Sequence, residues 1–129
     1  MREIAREEWN FPVSGRGFDN RYFVAEGAGA EIHLHIQFID GKDFVQLHLY
    51  ATGNNREAIR IMRRDRPEFM TMLRSWGIKT FTAIRPDTDD IKKWIKFLLL
   101  SLEKDFKVAD FKWKQKNYKV ISVEVDDGA

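Results

Sequence analysis

The stretch Glu31–Tyr50, EIHLHIQFIDGKDFVQLHLY, alternates apolar and polar residues on both sides of Asp40-Gly41. Alternation with a period of two is typical of a strand that buries one face, and Asp-Gly favours a two-residue turn with positive φ at both positions. We therefore predict a β-hairpin in which Ile39 pairs with Lys42. That register sets three further pairs: His33 opposite His48, His35 opposite Gln46, and Gln37 opposite Phe44.

All three histidines of the chain lie on one face of this predicted hairpin. Opposed residues of an antiparallel pair lie about 4.5 to 5.5 Å apart, so His33, His35 and His48 allow three interpretations. They are the ligands of a zinc site, a site of proton transfer, or a polar surface that something covers. The polar neighbours Gln37 and Gln46 favour the polar surface, and we expect no metal there.

The hydrophobic period changes to that of a helix after the hairpin. Asn54 or Asn55 caps this first helix, and Gly77 ends it. Pro67 has no backbone N–H and its ring crowds the preceding turn, so we expect a kinked or two-piece helix.

The remaining periodic segments are strands and one further helix. The predicted strands are Arg21–Glu26, Ile78–Ile84, Val108–Lys114 and Tyr118–Val125, the last two joined across residues 115–117. A second helix, predicted to be the longest, follows residues 86–90, whose acids complement its dipole. The fold class is therefore α/β (α+β), a mixed, mostly antiparallel sheet with two main helices in the order β-ββ-α-β-α-ββ.

Length and composition predict a single domain. The chain has 129 residues, 43% of them hydrophobic, which suffices for one core. Residues 1–20 have little periodicity and are predicted to form an arm that anchors through Trp9, Phe11 and Phe18, ahead of a domain at 21–129. A formal charge of +2 gives no global attraction to nucleic acid or anionic membranes, and the lack of cysteine excludes thiolate zinc sites. No segment has the pattern of a secretory signal or a membrane span, so we expect a cytoplasmic protein.

Three features in sequence order resemble the C-terminal two thirds of the GNAT-type N-acetyltransferase superfamily. They are the hairpin before the first helix, the run SWGIKTFTAI, and RPDTDDIKKWIKFL, in which Trp94–Leu98 takes the place of the family's "I-x-F-L"-like stretch. The resemblance covers about Arg21–Val125 and implies a GNAT-like domain. Small phage-encoded GNAT-like proteins are also similar, which implies a virion or host-interaction component and a virion location.

The family's acetyl-CoA loop, R/Q-x-x-G-x-G/A, is reduced here to a stretch with a single glycine. By resemblance, the cofactor-binding positions are Gly53, Asn54, Asn55 and Arg56. One glycine does not predict a tight pyrophosphate nest of backbone N–H groups. The family's two N-terminal helices also have no counterpart, so we expect the histidine face to be covered by the arm, another subunit or a partner, or to face water.

Four arginines recur at helical spacing on one predicted face: Arg56, Arg60, Arg63 and Arg64. Such a stripe suits CoA phosphates, a nucleic-acid backbone or an acidic protein patch, and it is also typical of a solvated face. No aromatic residue is interleaved to stack bases, which argues against nucleic acid. We therefore predict contact with a protein partner or a second copy of the chain.

The sequence leaves open whether the protein is an enzyme. The preferred interpretation is a non-catalytic GNAT-like binding or assembly module that uses no cofactor. The alternative is an acetyl-CoA-dependent N-acetyltransferase with a degenerate loop, in which His48 or Glu31 acts as the base. A His-ligated metal site is the third interpretation.

Overall fold

The computed structural model describes residues 1–12 and 19–126. Its strands are β1 Arg2–Ile4, β2 Asp19–Gly27, β3 Ala30–Phe38, β4 Phe44–Gly53, β5 Thr80–Pro86, β6 Lys107–Trp113 and β7 Lys116–Glu124, and its helices are α1 Asn55–Ser75 and α2 Ile91–Leu102. The strands form one sheet in the order β1-β2-β3-β4-β5-β7-β6. Only β4 and β5 pair in parallel. This confirms the α+β class with a mixed, mostly antiparallel sheet and two main helices.

The central hairpin keeps its predicted faces but not its predicted pairs. The observed register sets His35 opposite His48, Gln37 opposite Gln46, and His33 opposite Tyr50, two residues away from the prediction. Lys42 does donate to the carbonyl of Ile39 at 3.1 Å, but pairing between the strands begins only at Phe38 and Val45. Gly41 has a φ of 70°, whereas the Asp before it is outside the positive-φ region. A shift of two residues preserves the alternation, so the apolar side chains still face the helices.

Helix α1 starts as predicted. The side chain of Asn54 accepts hydrogen bonds from the backbone N–H groups of Arg56 and Glu57, at 2.9 and 3.3 Å. At the other end Gly77 has a φ of 76° and Ile78 donates to the carbonyl of Leu73 at 3.0 Å. This left-handed residue with a hydrogen bond back to the last turn is the Schellman ending that glycine favours.

Of the predicted kinked or two-piece helix, the two-piece form is wrong, because α1 is continuous through Pro67. Ala58 and Ile61 are buried before the proline, and Met70 and Leu73 are buried after it. Packing on both sides holds the two halves on the sheet and offsets the lost hydrogen bond. With 21 residues against 12, α1 and not α2 is the longest helix.

The main core lies between the sheet and both helices. Its innermost members are Ile36 and Val45 from the hairpin, Leu73 from α1, and Ile121 and Val123 from β7, each no more than 1% exposed. Neither helix in the described part of the chain is long and apolar enough to cross a membrane.

The N-terminal segment contributes an edge strand and a second small core. Strand β1 pairs with β2, and Ile4 and Trp9 pack on Tyr22 and Val24, on the sheet face that carries the histidines. Phe11 packs against the same cluster, and the predicted anchor Phe18 lies outside the described residues. The segment therefore covers the part of the histidine face nearest β1.

The turn of the last hairpin has two residues, 114 and 115, whereas the sequence predicted a connection of three residues, 115–117. Trp113 pairs with Lys116, and the two residues between them, Lys114 and Gln115, have φ values of 49° and 65°. Positive φ at both central positions is typical of the two-residue turn that matches the twist of paired strands. Strand β6 is thereby placed at the outer edge of the sheet, beyond β7.

Candidate functional site

The parallel strands β4 and β5 separate toward their carboxyl ends. They pair from Phe44 opposite Thr80 to Leu47 opposite Ala83, whereas β4 continues to Gly53 and β5 continues to Pro86. Ligands of open α/β sheets bind outside the carboxyl ends of parallel strands, where the strands leave a crevice. The separation makes this end of the sheet the first place to look for a site.

A cavity of about 390 Å³ lies at the separation. Most of its wall is apolar and comes from the sheet and both helices, including Phe23, Leu47, Leu49, Phe69, Ala83 and Trp94. Polar residues of β4, α1 and β5 also line it: His48, Tyr50, Asp65, Arg66 and Arg85. An apolar cavity with a few polar groups is the usual form of a small-molecule site. We call it the β4–β5 cleft.

His48 is the first residue of β4 beyond the paired segment and lines the β4–β5 cleft. Its Nε2 atom lies 3.1 Å from Oε1 of Gln37. An amide oxygen only accepts, so Nε2 carries the proton in this contact. Burial lowers the pKa of His48, which keeps the ring neutral near pH 7.

His35 lies directly behind His48, with the two rings stacked 4.9 Å apart. It is fully buried, and its Nε2 atom donates to Oδ1 of Asn20 at 2.6 Å. Burial, followed by the charges of His48 and Arg6, lowers the pKa of His35 to about 4. Both imidazoles are therefore neutral above weakly acidic pH.

The third histidine does not converge with the other two. His33 lies opposite Tyr50, contacts Oε2 of Glu31 at 3.1 Å, and packs against the rings of Trp9 and Phe11. The described residues contain no group of three or more His, Cys, Asp or Glu side chains that could hold a metal ion. The three histidines do not converge, because the His33 ring turns to Glu31 and to the aromatic rings of the N-terminal segment while His35 and His48 stack on each other.

The second predicted base, Glu31, lies away from the β4–β5 cleft. Its side chain is about half exposed (51%) at the far end of the hairpin, opposite Thr52, and it is not part of the cleft wall. The structure therefore brings only His48 of the two predicted catalytic residues to the cleft.

The predicted phosphate-binding residues lie just past the end of the cleft wall, at the junction of β4 and α1. Gly53 has a φ of 88°, and a Cβ atom there would lie 2.2 Å from the carbonyl oxygen of Gly29. Its lack of a side chain is thus explained by packing against the β2–β3 turn. The Asn54 side chain already accepts from the N–H groups of Arg56 and Glu57. These donors do not fit a pyrophosphate nest, whose N–H groups must point to the ligand.

The predicted arginine stripe does not form a single surface. Arg60 pairs with Glu57 at 2.8 Å in solvent. Arg63 donates to the carbonyl of Leu100 on α2 at 2.7 Å, whereas Arg64 donates to the carbonyl of Glu26 on β2 at 2.9 Å. Arg63 and Arg64 therefore extend to opposite flanks of α1.

The cations that do reach the cleft, Arg66 and Arg85, were not predicted as site residues. Arg66 pairs with Asp126 at 3.3 Å, and Arg85 pairs with Asp90 at 2.7 Å. Arg85 follows the last pair between β4 and β5, so its position depends on where the strands separate. No local pattern in the sequence marks that point.

No protein-family model matches the sequence, and no curated protein matches it significantly. Solved structures do match in fold. A protein described as an acetyltransferase of the GNAT family, from Desulfovibrio desulfuricans, has a TM-score of 0.57 and 13% identity, covering 76% of this chain and 70% of its own. A spermidine N-acetyltransferase mutant from Vibrio cholerae has a TM-score of 0.57 and 13% identity, covering 81% and 65%. The ribosomal-protein-S18-alanine N-acetyltransferase from Escherichia coli has a TM-score of 0.51 and 12% identity, covering 87% and 72%.

The chain has a GNAT-type fold. Identities this low show the fold alone, and activity has to be argued from the site. In this GNAT fold, the described residues before β2 form only β1 and a short 3₁₀ turn, Arg6–Glu8. Trp9 and Phe11 of this segment cover part of the sheet face that carries the histidines. Cover by the N-terminal arm was one of the alternatives predicted from the sequence.

Proposed function

We propose that the protein is an acetyl-CoA-dependent N-acetyltransferase whose chemistry takes place in the β4–β5 cleft. The observation that carries this proposal is the position of His48, a neutral imidazole in the cleft wall at the first residue where β4 and β5 separate. Proteins of the same fold with TM-scores above 0.5 are described as N-acetyltransferases of spermidine and of a ribosomal-protein alanine. The alternative interpretation of the sequence thus has more support than the preferred one.

The residues of the cleft suit acyl transfer to an amine. Acetyl-CoA, when bound, supplies an acetyl group already activated as a thioester. Apolar walls such as Leu47, Phe69 and Trp94 would exclude water and so limit hydrolysis. As the amine nitrogen bonds to the acetyl carbon, the C–S bond breaks and CoA leaves as its thiolate, while the amine gives up a proton; in this proposal the imidazole of His48 is the group of the cleft wall that accepts that proton.

The cleft suits the aliphatic and amide chain of acetyl-CoA, which carries the thioester, better than it suits the phosphates of its nucleotide. Its apolar wall matches an extended aliphatic and amide chain. Asn54 already accepts from the N–H groups of Arg56 and Glu57 at the start of α1, and the Arg56 side chain predicted to bind there is exposed. We therefore expect weak affinity for acetyl-CoA.

The test is release of CoA from acetyl-CoA in the presence of a panel of amines, including polyamines and peptide N-termini. Because the chain has no cysteine, a thiol-reactive dye detects only the CoA that is released. Ala83→Leu narrows the cleft, and Thr82→Leu, the adjacent residue that does not line the cleft, is the matched control. Amine-dependent release that Ala83→Leu abolishes and Thr82→Leu retains, with both variants folded, supports the proposal. Absence of release with every amine contradicts it.

A second candidate function is a non-catalytic binding or assembly module, which includes the virion or host-interaction role of phage GNAT-like proteins. The observation in its favour is that Gly53 and Asn54 are fully engaged within the chain. Calorimetric titration with acetyl-CoA and with acetyl-pantetheine, which has no nucleotide, separates the two functions. No heat with either ligand favours the module, while equal affinity for both favours an enzyme that does not hold the phosphates.

A further inference from the structure

Strand β6, Lys107–Trp113, is the outermost strand of the sheet, and every one of its residues is exposed. Phe111 is 45% exposed and Trp113 is 54% exposed, values that are high for large apolar side chains. They lie on one face of the strand, and the Phe111 ring packs at a tilted angle against Tyr118 of β7, with centroids 6.2 Å apart. An exposed edge of this kind is a template for pairing with another strand.

The turn of the β6–β7 hairpin fixes which backbone groups of β6 point outward. In a two-residue turn, the flanking residues Trp113 and Lys116 form a hydrogen-bonded pair, and hydrogen-bonded and non-hydrogen-bonded pairs then alternate. The N–H and C=O groups of Phe111 and Trp113 therefore point to β7. Those of Asp110 and Lys112 point away from the sheet and are available to a new strand.

This alternation restricts how two copies of β6 can pair in antiparallel fashion. Outward groups must meet outward groups, so the two-fold axis passes through a residue and not between two residues. An axis at Asp110 sets two carboxylates opposite each other, and an axis at Lys112 sets two ammonium groups opposite each other. An axis at Ala109 sets Asp110 of each copy opposite Val108 of the other and forms no ion pair. An axis at Phe111 sets Asp110 of each copy opposite Lys112 of the other, with the two Phe111 rings adjacent.

We propose that β6 pairs with β6 of a second copy of this chain, antiparallel about a two-fold axis at Phe111. The pairing joins two seven-stranded sheets into one and is closed, because each copy uses the same edge. It forms two Asp110–Lys112 pairs, sets the two Phe111 residues opposite each other, and sets Trp113 of each copy opposite Ala109 of the other. The surface lies beyond β7, separate from the β4–β5 cleft, so it does not depend on the proposed function.

Cysteine crosslinking tests the axis directly, because the chain contains no cysteine of its own. In this register the Cα atoms of the two Phe111 residues are about 4.5 Å apart, within the range that a disulfide spans. Phe111→Cys should form a disulfide-linked dimer rapidly under a mild oxidant. Lys107→Cys, on the same face of β6 but about 27 Å from its counterpart, should not. Equal crosslinking of the two variants would overturn the proposal.

A charge exchange tests the register by a second route. Sedimentation velocity should show a dimer for the unaltered chain, while Lys112→Asp and Asp110→Lys should each yield a monomer because like charges become opposed. The double variant Asp110→Lys/Lys112→Asp should restore the dimer. Asp110 also pairs with Lys119 within the chain, so melting curves should show that each variant is folded. An unaltered chain that is monomeric at all concentrations, or a folded double variant that stays monomeric, contradicts the proposal.

Discussion

Acidification should destabilise the protein through the stacked pair of buried imidazoles, with His35 as the larger contributor. Burial lowers the pKa of His35 in the folded chain to about 4, from an ordinary value of 6.5. As pH falls through 6.5, His35 becomes protonated in the unfolded chain but stays neutral in the folded chain. Stability is therefore complete above pH 6.5, declines between pH 6.5 and pH 4, and loses nothing further from this residue below pH 4.

The size of the effect follows from the gap between the two pKa values. At about 1.36 kcal/mol per pKa unit, the gap for His35 corresponds to about 3 kcal/mol of unfolding free energy. His48 adds to the loss in the same direction, since burial lowers its pKa as well. The carboxylates whose pKa values are lowered by ion pairs, such as Glu3 and Asp126, lose their contribution only below their ordinary pKa values of 4.5 and 3.8. The histidine effect therefore precedes the carboxylate effect as pH falls.

Urea unfolding followed by tryptophan fluorescence, repeated between pH 7 and pH 4, measures this slope. His35→Gln keeps a donor for Asn20 but cannot titrate, so it should remove most of the dependence on pH in this range. His48→Gln should remove a smaller part, and the double variant should be nearly flat above pH 4.5. An unchanged slope in folded His35→Gln would refute the assignment of the effect to this residue.

Four further predictions concern the helices and the cleft. Asn54→Ala removes the cap of α1 and should lower the unfolding free energy by about 1 kcal/mol in urea titrations. Leu73→Ala empties a fully buried position and should cost about 2 to 5 kcal/mol in the same assay. Arg63→Glu breaks a hydrogen bond to α2 and should lower the melting temperature more than Arg60→Glu, whose partner is one turn away in solvent. His48→Gln should abolish amine-dependent release of CoA while leaving acetyl-CoA binding, measured by calorimetry, within a few-fold.

The faces of the central hairpin could be predicted from sequence because side chains alternate with a period of two. Ile36 and Leu47 were assigned to the buried face and lie there. The pairs could not be predicted, because any even shift of register gives the same faces. A five-residue connection, 39–43, replaces the expected two-residue turn. As a result, His48 lies opposite His35 in the neighbouring strand and not opposite His33. The shift alone keeps the spacing of the three histidines; their convergence is lost because Glu31, Trp9 and Phe11 contact His33.

Helix α1 shows how packing can override a local signal. Pro67 is a strong local signal for a break, and the sequence offers Asp65-Arg66 as a natural new start. The apolar residues on both sides of the proline bury against the same sheet face, and a helix that stays continuous buries all of them. Caps are more predictable, because Asn54 acts on N–H groups only two and three residues away.

The cleft exists because β4 is longer than the segment over which it pairs with β5, and no local pattern in the sequence predicts that difference. Strand β4 has ten residues but pairs with β5 over four, while β3 pairs with residues 45–53 of β4 and keeps them extended. From His48 onward, β4 therefore presents a strand edge to the cleft, and such an edge can bind the amides of an extended ligand. At the other end of the same segment, Gly53 packs on Gly29 and Asn54 occupies the first donors of α1. Under the proposed function, affinity for a pantetheine arm and affinity for phosphates would depend on opposite ends of the stretch of β4 that does not pair with β5. Acetyl-pantetheine that binds as tightly as acetyl-CoA would show that only the His48 end contributes to binding.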